Sequence, residues 1–182
     1  GGNVTSNGGG TITARGICWN TTGTPNVDDD TYTTDGTGTG VFTSELTGLS
    51  ENTPYYVRAY ATNSAGTAYG DAVEFTTLKA EPSSHVTNLV VGSATVSALT
   101  VSWDDAAKAA PDGYLIKGSD VGYSSISEPV DGTTESNSLL VRNVSQGTQE
   151  YTFTDLSANT TYYFQIYPFT NSGTSINYKK DG

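Results

Sequence analysis

The feature that most constrains this chain is a stretch that occurs twice. Residues 49–66 read LSENTPYYVRAYATNSAG, and residues 156–173 read LSANTTYYFQIYPFTNSG. Tyr55 answers to Tyr162 and Asn52 to Asn159 at an offset of 107 residues, which slips by one near the end, where Asn63 answers to Asn171. A period of that length is one domain, too long for a solenoid repeat or a propeller blade. With 182 residues in all, the repeat implies two domains, 1–79 and 80–182, each with a modest core.

Inside each copy the side chains alternate as in strands. Tyr55, Val57, Ala59 and Ala61 share one face, expected inward, and Tyr162, Phe164 and Ile166 form its equivalent. Tyr56, Arg58, Tyr60 and Thr62 point the other way, as do Tyr163, Gln165 and Tyr167. Leu99, Val101 and Trp103 make a further core stripe, and GYLIKGS at 113–119 reads as a strand. Short strands are also expected at Tyr32–Thr34, at VFTSELTGL and at TAYGDAVEFTT. VTNLVVGSATVSALTVSW reads as two strands joined at Gly92–Ser93–Ala94–Thr95. A helical turn is expected only at Ala106–Ala109, before Pro111. LKAEPSSH at 78–85, with charge, a proline and two serines, is the candidate linker. Many short strands with glycine-rich turns give an all-β sandwich or barrel.

At this point the residues become specific. LSENTPYY and LSANTTYY resemble the tyrosine corner of fibronectin type III domains, with Tyr55 and Tyr162 as the corner tyrosines. Leu99-x-Val101-x-Trp103 resembles that family's second strand and Gly113-Tyr114-Leu115-Ile116 its third. The second domain is similar across most of 82–182. The first is similar to a Gly/Thr-rich variant found in tandem in large secreted bacterial proteins, through GGNVTSNGGG, ARGICW, TTDGTGTGVFTSELTGL and YVRAYATNSAGTAYG. The resemblance implies two tandem fibronectin type III β-sandwiches and an extracellular or cell-surface location. It also implies a non-catalytic role in spacing, adhesion or interaction beside flanking domains of a larger protein. Against the family pattern, the first domain is expected to lack its first strand and the second most of its last. Those strands would come from the parent chain or from a neighbouring chain by strand addition. With no Met in the sequence there is no initiator, so a segment of something longer is expected.

Charge narrows the partners. Eight Lys and Arg stand against 19 Asp and Glu, a net charge of −11. Nucleic acid needs clustered cations, which are absent, and anionic membrane surfaces are disfavoured by the same sign. No apolar run reaches membrane-spanning length, so no membrane insertion is expected.

Catalysis would need a nucleophile, a base and an orienting group in one place. The single cysteine, Cys18, can form no intrachain disulfide and sits beside Trp19 as a small apolar residue would. His85 is the only histidine, so one His and one Cys cannot close a zinc site. Asp28, Asp29, Asp30 and Asp35 are hard oxygen donors that could hold Ca²⁺, but without the D-x-D-x-D-G spacing; a solvated loop is the simpler expectation. Asp104, Asp105 and Asp112 form a weaker set of the same kind, and no other cofactor is expected. Tyr56, Tyr60, Tyr163 and Tyr167 are the candidate ligand-binding residues. As exposed rings they could stack on glycans, which makes a carbohydrate-binding accessory module of a degradative enzyme the alternative function; cross-strand pairing is the competing explanation. Asn3, Asn20, Asn143 and Asn159 begin N-x-Ser/Thr sequons, which arise by chance in a chain this rich in Ser and Thr.

Overall fold

Alternating β-branched, aromatic and small residues form strands throughout the computed structural model, which describes residues 1–107 and 110–181. Its chain divides into two compact units, Gly1–Leu78 and Lys79–Gly182. Each is an antiparallel sandwich, and the only helical turns among the described residues are two 3₁₀ turns, Tyr123–Ser125 and Gly173–Ser175. The expected helical turn at Ala106–Ala109 falls partly outside the described residues.

Unit one contains β1 (Gly2–Val4), β2 (Ala14–Asn20), β3 (Thr31–Tyr32), β4 (Gly40–Phe42), β5 (Pro54–Asn63), β6 (Gly66–Tyr69) and β7 (Val73–Thr76). One sheet is the pair β1–β4; the other has the order β3-β2-β5-β6, with β7 also paired to β5. The closing strand expected over TAYGDAVEFTT is thus two strands, interrupted at Gly70–Ala72. The expected Tyr32–Thr34 strand is Thr31–Tyr32.

Unit two contains β8 (Thr87–Ala94), β9 (Leu99–Asp104), β10 (Gly113–Ser119), β11 (Val141–Ser145), β12 (Glu150–Phe153), β13 (Tyr163–Thr170) and β14 (Asn177–Tyr178). Its sheets have the orders β12-β9-β8 and β11-β10-β13-β14. The turn between β8 and β9 lies at 95–98, later than expected, because β8 carries two register shifts that consume extra residues. Val101, Trp103, Tyr114, Ile116, Phe153, Leu156, Phe164 and Ile166 pack between the sheets, with Leu99 and Tyr162 against them. Trp103 meets Tyr114 edge-on at 5.9 Å.

The candidate linker at 78–85 is not a free spacer. Leu78 closes unit one, its carbonyl accepting from the Asn52 amide at 3.2 Å. Lys79 opens unit two: its amide donates to Asn171 Oδ1 at 3.0 Å, and Asn171 Nδ2 donates to its carbonyl at 2.9 Å. Thr170 Oγ1 donates to the Ala80 carbonyl at 2.7 Å, and Pro82 is fully buried. The buried Pro82 and these hydrogen bonds fasten the stretch to its units, so its polar composition misrepresents it.

Candidate functional site

The corner tyrosines occupy the same place in both units. Tyr55 Oη accepts from the Ser50 amide at 3.0 Å, and Tyr162 Oη from the Ser157 amide at 2.9 Å, five residues upstream each time. Each bond ties the end of a loop to the strand that follows, while the ring fills the core; Tyr55 stacks on Phe75 at 5.9 Å. Asn52 and Asn159, between the Leu and the Tyr, take positive φ of 46° and 54°. Asn tolerates that region better than other side chains, which is why it recurs at this turn.

The four tyrosines expected on exposed faces separate into two pairs, and two of them are corrected. Tyr60 is 4 % exposed and Tyr167 5 % exposed, so neither ring is free to meet a ligand. Both do lie on the sheet face away from the inter-sheet core, but in each unit irregular chain folds over that face. In unit one the covering segment begins at β3: Tyr60 Oη donates to the Thr33 carbonyl at 2.6 Å and its ring meets Tyr32 edge-on at 6.1 Å. Gly16, opposite Tyr60 in β2, lets this happen, because a Cβ there would stand 2.2 Å from the Thr33 carbonyl oxygen. In unit two Tyr167 packs with Leu115, Ile176 and Tyr178 in a second small core. Segment 126–135 covers it: Tyr178 Oη donates to the Thr133 carbonyl at 3.2 Å, and the Gly132 amide to the Ile176 carbonyl at 2.8 Å. Lys117, on that same face, is buried and reaches Glu135 at 2.8 Å and Ser127 Oγ at 3.0 Å. Burial raises the Tyr167 hydroxyl above its ordinary pKa, with Glu128 and Glu135 adding to the effect.

Tyr56 and Tyr163 remain half-buried. Tyr56 lies between Asn20 of β2 and Glu74 of β7 in the sheet register. Tyr163 meets Tyr123 edge-on at 5.0 Å, and Tyr123 is exposed, so the surface aromatic patch of unit two is Tyr123–Tyr163. Tyr123 opens the 3₁₀ turn Tyr123–Ser125, outside any strand, so alternation could not assign it.

The acidic residues do not converge. Asp28 and Asp29 are exposed, and their amides donate to Asn26 Oδ1 at 2.8 and 3.0 Å in an Asx turn. Asp30 Oδ2 accepts from Asn20 Nδ2 at 3.0 Å and from the Asn26 amide at 2.9 Å. Asp35 Oδ2 is engaged elsewhere, by the hydroxyls of Thr33 and Ser44. Among the described residues no three His, Cys, Asp or Glu side chains form a group that could hold a metal ion, so the Ca²⁺ reading finds no built site at Asp28, Asp29, Asp30 and Asp35. Asp112 holds the Asn171 amide at 2.8 Å and pairs with Lys79, and Asp104 accepts from Asn88 Nδ2 at 2.6 Å. These carboxylates organise loops.

Cys18 is fully buried, its thiol 3.8 Å from the Arg58 carbonyl, and burial raises its pKa despite the nearby Arg58 charge. His85 belongs to the other unit, its Nε2 2.7 Å from the Asp181 carbonyl. No helix among the described residues is long and apolar enough to cross a membrane.

Residues 84–180 match the fibronectin type III domain, more than half of the chain. No curated protein matches the chain as a relative. Among solved structures, the FN1–FN3 domains of chicken CNTN1 share 14 % identity over 90 % of this chain, with a TM-score of 0.48; the match spans 50 % of that FN1–FN3 chain. A two-domain fibronectin type III segment of chicken tenascin shares 13 % identity over 91 % of this chain and 80 % of its own, with a TM-score of 0.38. On the strength of the domain match, this all-β chain belongs to the fibronectin type III family.

Proposed function

We propose that the chain is a non-catalytic spacer and interaction module of a larger secreted or cell-surface protein of bacterial type. The carrying observation is that each unit is a complete bonding block of its own up to its terminal residue. The last residue of one sandwich and the first of the next are each bonded to their own unit, with no free residue between them. Two sandwiches each with its own core suit a module that carries other domains. Its partners on this reading are the flanking domains of the parent, and acidic surface favours solubility over non-specific adhesion. Exchange of residues 1–182 in the parent protein for an unrelated tandem pair of equal length decides the matter. Retained surface function supports a spacer, loss with normal export supports a specific interaction, and a catalytic activity that travels with 1–182 would sink the proposal.

The carbohydrate alternative now rests on a different pair of rings. With Tyr60 and Tyr167 buried, Tyr123 beside Tyr163 is the observation that favours it. Glycan binding that disappears in Tyr123→Ala and Tyr163→Ala would support that reading; no binding at millimolar glycan removes it.

A further inference from the structure

The covered outer face of unit two holds two buried polar groups that packing alone does not account for. Lys117 is 6 % exposed, a rare burial for an ammonium, and its Nζ meets Glu135 Oε1 at 2.8 Å and Ser127 Oγ at 3.0 Å. Asn143 Oδ1 is buried and accepts no hydrogen bond among the described residues. Buried amide oxygens without a partner are uncommon in folded proteins, and each asks for a cause.

The two groups are neighbours. In the antiparallel register of β10 and β11, Lys117 lies opposite Val141 and Leu115 opposite Asn143. Lys117 and Asn143 are therefore a diagonal pair on one sheet face, with Cα atoms roughly 7–8 Å apart, within reach of a long side chain. Glu135 joins them: its carboxylate holds the Lys117 ammonium, and its main-chain carbonyl accepts from Asn143 Nδ2 at 2.7 Å. Leu115, Tyr167 and Tyr178 form the apolar cluster of this same face, and segment 126–135 closes over it. A nucleophile, a carboxylate that can carry its proton and a carboxamide carbon thus share one site shielded from bulk water.

We propose that Lys117 and Asn143 become joined by an intramolecular amide bond, which the folded chain forms on itself. The Glu135 carboxylate takes a proton from the Lys117 ammonium, and the freed Nζ attacks Asn143 Cγ. As the Nζ–Cγ bond forms, a second proton passes from Nζ to Nδ2 and the Cγ–Nδ2 bond breaks. Ammonia departs with the proton that Glu135 held, so the carboxylate regains its charge. Asn143 Oδ1 becomes the carbonyl oxygen of the new amide, and no oxidant or other co-reactant is consumed. Lysine's flexible stem lets Nζ leave Glu135 for Cγ while both strands stay in register. The product ties β11, at the edge of its sheet, covalently to β10 and closes the chain around the covering segment. This goes beyond the proposed function, and the spacer reading stands without it.

Mass spectrometry of the folded chain 1–182 is the test. Its intact mass should fall below that of the sequence by one ammonia. Succinimide formation at Asn7–Gly8 loses the same ammonia, so the position is read by peptide mapping. Trypsin cuts after Lys108, Arg142 and Lys179 but not after an acylated Lys117, so residues 109–142 should emerge joined to 143–179. Lys117→Arg keeps a cation beside Glu135 without the lysine amine, and should yield only separate peptides. Glu135→Gln should reduce the joined fraction in freshly purified chain at least about tenfold, with an amide spectrum that shows unit two folded. The full sequence mass in the folded chain, or release of residues 118–142 as a free peptide in full yield, would overturn the proposal. So would the joined fraction of the unaltered chain persisting in Glu135→Gln. None of those results bears on the domain exchange in the parent protein, so the two readings fail separately.

Discussion

Tyr55 and Tyr162 show how much one side chain can fix when its ring and hydroxyl act together. The ring is held in the core while the oxygen satisfies an amide that the turn would otherwise leave unpaired. Tyr162→Phe should therefore cost unit two about 1–2 kcal/mol, and Tyr55→Phe a similar amount in unit one, measured by urea unfolding with probes in each unit. The outer-face tyrosines differ more sharply. Tyr60→Ala and Tyr167→Ala each open a cavity beneath a covering segment and should destabilise by about 3–5 kcal/mol. Tyr56→Ala, at a half-buried position, should cost clearly less. Equal losses at Tyr56 and Tyr60 would contradict the burial described above. These residues were visible in the sequence as strand positions with the correct face. What alternation could not supply was the fate of the outer face, because Thr33 and Thr133 approach it from loops with no periodic pattern.

At the scale of elements, close approach of chain to strand decides which glycines matter. Gly16 sits where the Thr33 backbone crosses β2, and Gly113 where a Cβ would stand 2.4 Å from the Val144 carbonyl oxygen. Gly16→Ala should push the 31–35 segment off the sheet, loosen the Tyr60–Thr33 bond and cost about 1–3 kcal/mol. Faster amide exchange at Thr33 and Asp35, whose amides donate to Ile17 and Arg15, would register the displacement. Strand β10 shows the same principle from the side of the core: six of its seven residues are buried, so it has no solvent face to betray its orientation. Its GYLIKGS run was readable as a strand, but not as one covered on both sides. Lys117 lies on the covered outer face, where its ammonium reaches Glu135 and Ser127 of the covering segment.

For the whole molecule, the distribution of buried hydroxyls sets a response to alkali. Burial in the core pushes Tyr114 up to about 12, although the Ala106 amide donating to its oxygen works in the opposite direction. Tyr167 and Tyr178 are raised as well, again chiefly by burial. A tyrosine whose folded pKa exceeds its unfolded value of about 10 keeps its proton in the native state while the unfolded chain loses it. Stability from these groups is therefore complete below about pH 10 and is lost as pH rises above it, in the case of Tyr114 up to about 12. All three lie in unit two. Unfolding titrations should show unit two losing stability across that window, and Tyr114→Phe should flatten the loss; an unchanged slope in Tyr114→Phe would refute the assignment.

Sequence alone determined the domain count, the strand faces within the repeat and the corner. Each depends on local spacing: a period of two along a strand, and Leu, Asn and Tyr at fixed offsets in one turn. Tertiary structure decided which of those faces meets water. Apart from the two-residue β3 and the 3₁₀ turn Tyr123–Ser125, residues 21–39 and 120–140 are irregular, so their sequence carries no period to show where they will lie. They settle over the outer sheet faces because Tyr60, Leu115, Tyr167 and Tyr178 offer apolar area and backbone partners there.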